Sequence, residues 1–368
     1  MRIAIDVRTV RNRRAGIGIY TQHLVGALAE IRQDEDFILL GASDTAWGLL
    51  PSGSGFNHRS LTGATLRWHL QAASIARQVD LYHSPSSLFV PAMVPDRAVL
   101  TIHDMVPFLM PEVSNAKTWW THRAFQSTVG RVKALIAVSQ NTATDLLKVM
   151  PGLSTPISTI YEAPRPAFRP LGLMPKPYPF DYYLAVGTLE PRKNLPMLLR
   201  AYRKATEAVP DLPKLVIAGE LGWKNDEFET LLADPWLRER VQLAGYISDE
   251  DLLRHIQGAI ALVYPSRYEG FGLPVVEAMA CGTPVITSAC SSLPEVGGNA
   301  VLYVDPGDEA ALCNQLLKIR EPEVRAELSR LGIAQAARFS WEETARQTLA
   351  LYHETRERAQ SETKAKIS

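Results

Sequence analysis

The sequence predicts an α/β protein made of two doubly wound parallel sheets. Short apolar runs alternate with longer stretches of helical periodicity along most of the chain, the pattern of parallel strands covered on both faces. A proline-dense stretch interrupts this alternation once, near the middle. The chain has 368 residues, which suits two domains of ordinary size.

In the first block, residues 2–7, 37–41, 81–84, 99–103, 135–139 and 157–161 read as strands, and 20–31 and 140–150 as helices. Residues 162–180 then carry Pro164, Pro166, Pro170, Pro175, Pro177 and Pro179. Proline has no N–H to donate and a fixed φ, so this stretch reads as an extended interdomain linker. Strands resume at 183–187, 215–219, 241–245, 261–265, 284–288 and 301–304. The expected domains are 1–165 and 166–340, followed by a helix over 341–368. Ser340 is its N-cap and Glu343 the capping-box partner, and past Tyr352 the helix should fray into a charged tail. Ligands of such sheets bind beyond the carboxyl ends of the strands, so a cleft between the two domains is the expected site.

Hydrophobic residues make up 46% and charged residues 21%, and the formal net charge is zero. That balance fits a globular protein and supplies no field to attract nucleic acid. The opening residues 1–6 read as a strand rather than a secretory leader, and no apolar run reaches the ~20 residues of a membrane span. Cys281, Cys290 and Cys313 match neither a zinc site nor a redox pair. The expectation is a cytoplasmic protein with free thiols.

The most informative segment follows the strand ending at Pro265 and runs Ser266-Arg267-Tyr268-Glu269-Gly270-Phe271-Gly272-Leu273-Pro274-Val275-Val276-Glu277. Gly270 and Gly272 permit a sharp turn and close approach to a ligand. Pro274 suits a helix start, whose unpaired N–H groups attract anions. Two carboxylates framing such a loop can accept hydrogen bonds from sugar hydroxyls. The bland alternative is a helix start whose acids merely favour its dipole.

Glu, seven residues, Glu, around Gly-Phe-Gly-Leu-Pro, resembles the signature of glycosyltransferase family four. Cys281-Gly282-Thr283-Pro284-Val285-Ile286 and Leu293-Pro294-Glu295 are also similar to that family, and the likeness covers nearly the whole chain. It implies the GT-B fold, two Rossmann-like domains, with the last helix crossing back to the first. It further implies a retaining transfer from a nucleoside diphosphate sugar. On this likeness Glu269 contacts the donor sugar and Glu277 holds the ribose. Gly270, Phe271, Gly272 and Leu273 line the donor, and Tyr246 and Ile247 line the base pocket through their backbone.

Gly187-Thr188-Leu189-Glu190-Pro191-Arg192-Lys193-Asn194 follows another strand. Arg192 and Lys193 there can neutralise a diphosphate and stabilise charge developing on the leaving group, against the bland reading of a solvated pair. Asn194 reads as the N-cap of the next helix. His103-Asp104 ends a first-domain strand, and the resemblance sets His103 against the donor sugar as a catalytic residue that stabilises positive charge at the reacting carbon, with proton transfer a lesser role; the alternative is a structural histidine bonded to Asp104. Gly16 and Gly18, in a loop after Arg13-Arg14-Ala15, can face a phosphate or an acceptor oxygen. Starch and glycogen synthases carry a lysine and paired glycines here, which this chain lacks.

Asp34-Glu35-Asp36 and Asp249-Glu250-Asp251 imitate a metal-binding Asp-x-Asp motif but fall in a turn and at a helix start. No metal or other cofactor is expected. Lys117 with Trp119-Trp120-Thr121-His122-Arg123 reads as a packed helix, with a lipid-headgroup face at the inner membrane surface as the alternative. Gly16-Ile17-Gly18-Ile19-Tyr20 with His103-Asp104 resembles bacterial mannosyltransferases of surface-polysaccharide assembly, which implies GDP-mannose as the nucleoside diphosphate sugar and a glycan or lipid-linked acceptor as the expected partners. The rivals are an epimerase of the same fold and a non-catalytic nucleotide-binding subunit.

Overall fold

The computed structural model describes residues 1–13, 16–63, 65–111, 118–170, 175–220, 222 and 226–367, with side chains of 118–122 and 362–367 excluded. Lys117 and the Trp119–His122 side chains therefore lie outside the described residues, as do Arg14 and Ala15. Among those described, one parallel sheet contains β1 (Arg2–Asp6), β2 (Asp36–Gly41), β3 (Phe56–Ser60), β4 (Leu81–Ser84), β5 (Ala98–Ile102), β6 (Ala134–Ala137) and β7 (Ile157–Thr159). The second contains β8 (Tyr182–Val186), β9 (Lys214–Ala218), β10 (Val241–Gly245), β11 (Ala261–Tyr264), β12 (Val285–Ser288) and β13 (Leu302–Val304).

The strand orders are β3-β2-β1-β4-β5-β6-β7 and β10-β9-β8-β11-β12-β13. Each sheet changes winding direction beside its first strand, where β1 lies between β2 and β4, and β8 between β9 and β11. Crevices open at such points beyond the strand ends. Central strands are buried throughout, as in β4, β5, β6 and β11, so their sequences read as apolar runs. The strand not anticipated, β3, is a mostly exposed edge reading Phe-Asn-His-Arg-Ser. Pairing with β2 and stacking of Phe56 on Phe37, centroids 5.3 Å apart, hold it.

The chain divides into one unit of Met1–Glu162 with Ser340–Ser368, and another of Ala163–Phe339. In the first, Trp68, Ala72, Tyr82 and Val90 form one apolar cluster, and Leu100, Val129, Leu135 and Leu146 another. The helix Trp341–Ile367 packs here through Ala345, Leu351 and Tyr352. It continues beyond the fraying expected after Tyr352, supported by Arg346–Glu342 at 2.6 Å and Arg358–Glu354 at 3.1 Å, spacings that steady a helix. Ser340 Oγ accepts the Glu343 N–H at 3.1 Å, but the Glu343 carboxylate turns to Arg346 and Gln347.

In the second unit, Tyr183, Leu198, Tyr202, Leu215 and Leu312 build the core. The boundary falls three residues earlier than expected, because Arg165 belongs to this unit by its ion pairs with Glu277 and Asp249. Ala163, Arg165 and Phe168 are buried, so this part of the proline-rich stretch is packed rather than a free tether.

Candidate active site

Two loops leave the second sheet at its switch point, one after β8 and one after β11. Gly187 takes φ +129°, a conformation that L residues rarely adopt, and an added Cβ would meet Lys193 Cε at 3.1 Å. The single turn Pro191–Lys193 then lifts Arg192 and Lys193 over the strand end. The Arg267 N–H donates to the Arg192 carbonyl at 2.7 Å, tying the two loops together. Asn194, left-handed at φ 59°, makes no side-chain cap. Its Nδ2 instead donates to the carbonyls of Pro265 and Pro306, at 3.1 and 2.8 Å, which fasten the loop to its neighbours.

This arrangement brings Arg192, Lys193 and Glu269 into one cluster. Arg192 Nη1 donates to Glu269 Oε2 and Lys193 Nζ to Glu269 Oε1, both at 2.6 Å. Arg192 Nε also meets Glu190 Oε1 at 2.5 Å, and Lys193 donates to the Tyr264 hydroxyl. Burial pulls Lys193 down to about 8, and the Arg192 charge adds to that, against the pull of Glu269. Burial would raise Glu269, but the two cations outweigh it and bring the carboxyl down to about 2. Two cations thus face two carboxylates in a water-poor site, where charge interactions are strong. A diphosphate can share those cations.

Only Gly272 of the two loop glycines is left-handed, at φ +116°, and an added Cβ would meet Leu293 Cδ2 at 3.0 Å. Gly270 does not need a glycine's freedom of φ. The turn is braced by a segment not anticipated. Ser291 Oγ accepts the Glu269 N–H at 3.0 Å, and Ser292 Oγ donates to the Glu269 and Phe271 carbonyls at 3.0 and 2.7 Å. Phe271 and Leu273 are buried. The helix Leu273–Ala280 starts one residue before Pro274, which occupies its second position. Glu277 is its fifth residue and faces Arg165, through Nε–Oε1 at 2.6 Å and Nη2–Oε2 at 2.7 Å. Tyr246 and Ile247 follow the left-handed Gly245 at the end of β10; Tyr246 is exposed and Ile247 half-buried.

In the first unit, His103 follows β5. Its partners are Glu162 Oε1, 3.1 Å from Nδ1, and the Pro85 carbonyl, 2.9 Å from Nε2. The expected Asp104 partner instead accepts the Val106 N–H at 3.0 Å, closing its own turn. Both ring nitrogens are therefore engaged. Tyr20 meets the imidazole edge-on with centroids 4.9 Å apart. Gly16 and Gly18 are not in a loop, because the helix Gly16–Ile31 begins four residues before the expected start at 20. Gly16 is its first residue and is exposed, while Gly18 is buried.

The family model for "Glycosyl transferases group 1" matches residues 175–337, the span holding Arg192, Lys193, Glu269 and Glu277. The O-antigen chain mannosyltransferase B of Escherichia coli is 31% identical, over 96% of this chain and 99% of its own. This chain is a group 1 glycosyltransferase. Among solved structures, sucrose-phosphate synthase from Thermosynechococcus elongatus superposes with a TM-score of 0.78 at 21% identity, covering 96% of this chain and 98% of that one. Anabaena HepE, solved with UDP and glucose, gives 0.76 at 17% identity, covering 96% and 100%. These likenesses are of fold, and the fold is GT-B.

Other side chains of this glycosyltransferase have ordinary partners. Asp249 pairs with Arg165, Asp251 with Ser248 and Glu35 with His353. Among the described residues no group of three His, Cys, Asp or Glu could hold a metal ion. The three cysteines are free, and burial raises Cys281 to about 12. No described helix is long and apolar enough to cross a membrane. Residues that sequence reasoning missed are Glu190, Tyr264, Ser291 and Ser292 around Glu269, Arg165 beside Glu277, and Glu162 beside His103.

Proposed function

We propose that this glycosyltransferase moves mannose from GDP-mannose to a growing surface polysaccharide or its lipid-linked precursor, with retention at the anomeric carbon. The observation that carries the reading is the Arg192–Lys193–Glu269 cluster at the switch point of the second sheet. The 31% identical O-antigen chain mannosyltransferase supports the sugar and the glycan acceptor. Arg192 and Lys193 take the diphosphate and Glu269 the donor sugar. Gly270, Phe271, Gly272 and Leu273 line the donor, Glu277 holds the ribose, and Tyr246 and Ile247 hold the base. The first unit receives the acceptor, with Gly16 at a helix start.

Glu269 is a poor covalent nucleophile, because two cations hold its carboxylate. We therefore assign attack on the face the diphosphate leaves. The acceptor oxygen bonds to the anomeric carbon as the carbon–phosphate oxygen bond breaks. The electron pair leaves with the diphosphate, whose oxygen takes the acceptor proton. Cations fixed beside that oxygen stabilise the transition state more than the ground state. Both His103 ring nitrogens are engaged, so no proton is routed through them. The test is a thermal-shift and hydrolysis screen of GDP-mannose against UDP-glucose, UDP-galactose and GDP-fucose. GDP-mannose should give the largest stabilisation and the fastest release of nucleotide. A UDP-sugar surpassing it would overturn the donor assignment.

A further inference from the structure

Arg165 stands in a proline-rich stretch without helix or strand, yet its side chain is only 6% exposed. It makes the two bonds to Glu277 and a third, from Nη1 to Asp249 Oδ1, at 2.6 Å. Its guanidinium carbon lies 4.1 Å from the centroid of the Phe168 ring. The carboxylates it joins belong to different elements. Glu277 is on the helix Leu273–Ala280, and Asp249 opens the helix Asp249–Gly258, two residues after Ile247. Guanidinium donors form a rigid planar fork, so this one side chain sets those two elements relative to each other.

We propose that Arg165 is the positioning residue for the ribose of the nucleotide donor, aiming the Glu277 carboxylate and fixing the Tyr246–Asp249 segment beside it. The inference rests on the reading of Glu277 as the ribose ligand. A carboxylate offers about four lone-pair directions. Arg165 occupies one on each oxygen and leaves one on each, a match for two neighbouring hydroxyls. Glu277 is 1% exposed, and a buried charge without a partner is strongly unfavourable. Arg165 therefore both compensates the carboxylate and orients its plane. Lysine could do the first but not the second, since its ammonium is a point charge.

That difference gives the test. Calorimetric titration of the full chain compares a nucleoside diphosphate with its 2′,3′-dideoxy form, using whichever of GDP and UDP binds more tightly. The ratio of the two dissociation constants reports the ribose contacts alone. Wild type should favour the ribonucleotide by at least ~10-fold, the scale of a hydrogen bond to a charged group. Glu277→Gln and Arg165→Met should both bring the ratio close to one. Arg165→Lys should keep the thermal midpoint closer to wild type, with the ratio reduced at least ~3-fold for want of the two-pronged grip. If Arg165→Met does not fold, Arg165→Lys decides. Arg165 variants that keep the wild-type ratio while Glu277→Gln loses it would reduce Arg165 to a structural ion pair and overturn the proposal. A Glu277→Gln variant that keeps the ratio, or a wild type without discrimination, would instead sink the ribose reading and this inference with it.

Discussion

Lys193 Nζ and Glu269 Oε1 lie 2.6 Å apart in a buried pair, although 76 residues separate them in the chain. Arg192 completes a two-cation grip on the same carboxylate. Replacing Lys193 by Ala leaves Arg192 to hold Glu269, so the fold should survive. Turnover should fall by at least ~100-fold, the scale of losing one preorganised charge partner. Circular dichroism and steady-state kinetics on the purified variant check both halves. Near wild-type turnover would remove Lys193 from the mechanism.

The same lysine sets an alkaline limit. Burial first, and then Arg192, bring its ammonium down to about 8, facing Glu269, Glu190 and Tyr264. Above that pH the free enzyme loses the charge that the proposed function assigns to the diphosphate, so kcat/KM should fall about tenfold per pH unit. A bound diphosphate favours the charged form, so kcat should hold to higher pH. This loss is not unfolding. Between about 8 and 10.5 the unfolded lysine keeps a proton the native one has released, so this group's contribution to stability rises with pH. Lys193→Arg should shift the descending limb upward. An unmoved limb would assign it to another group.

A chelator should leave transfer intact. On the function proposed above, Arg192 and Lys193 meet the charge on the diphosphate, and no metal-binding group of three occurs among the described residues. Assays with and without EDTA, followed by magnesium or manganese, test this directly. Activity abolished by EDTA and restored by either metal would show that the diphosphate needs a cation beyond those two side chains.

How much of this was legible in the sequence depends on distance along the chain. Strands buried on both faces announce themselves as apolar runs, and Arg192-Lys193 and Glu269 each follow one. Only the family resemblance pointed to their meeting at one donor; the residues themselves carry no sign of it, because it depends on β8 and β11 being neighbours in the sheet. The bracing of the loop by Ser291 and Ser292 carries no local signature, and small polar residues after a strand read as a turn. Arg165 was hidden for another reason: prolines on either side make its surroundings look solvated, while its partners lie 84 and 112 residues away. The β3 edge escaped notice because exposed strands lack the apolar run.

The last prediction concerns the C-terminal helix. Tyr352 Oη lies 2.6 Å from His83 Nδ1, and His83 Nε2 lies 2.8 Å from Thr101 Oγ1, which meets the Tyr20 hydroxyl at 3.2 Å. His83 and Tyr352 are completely buried. Burial first, and then the neighbouring His103, bring His83 down to about 3, so its ring is neutral. Such a ring has one donor and one acceptor nitrogen, and both are used here. Tyr352→Phe strands one of them without water, at a cost of about 1–3 kcal/mol. Urea unfolding at neutral pH should show that loss with little change in the denaturant slope. The pH response separates the hydrogen bond from the burial. As pH falls from 6.5 toward about 3, the unfolded histidine takes up a proton that the native one refuses, so stability drops. That slope should persist in Tyr352→Phe, since burial is its main cause, and flatten in His83→Gln between about 6.5 and 4.5, above the range where Glu269 adds its own loss. A Tyr352→Phe protein as stable as wild type would show that packing alone, without this hydrogen bond, holds the helix to its unit.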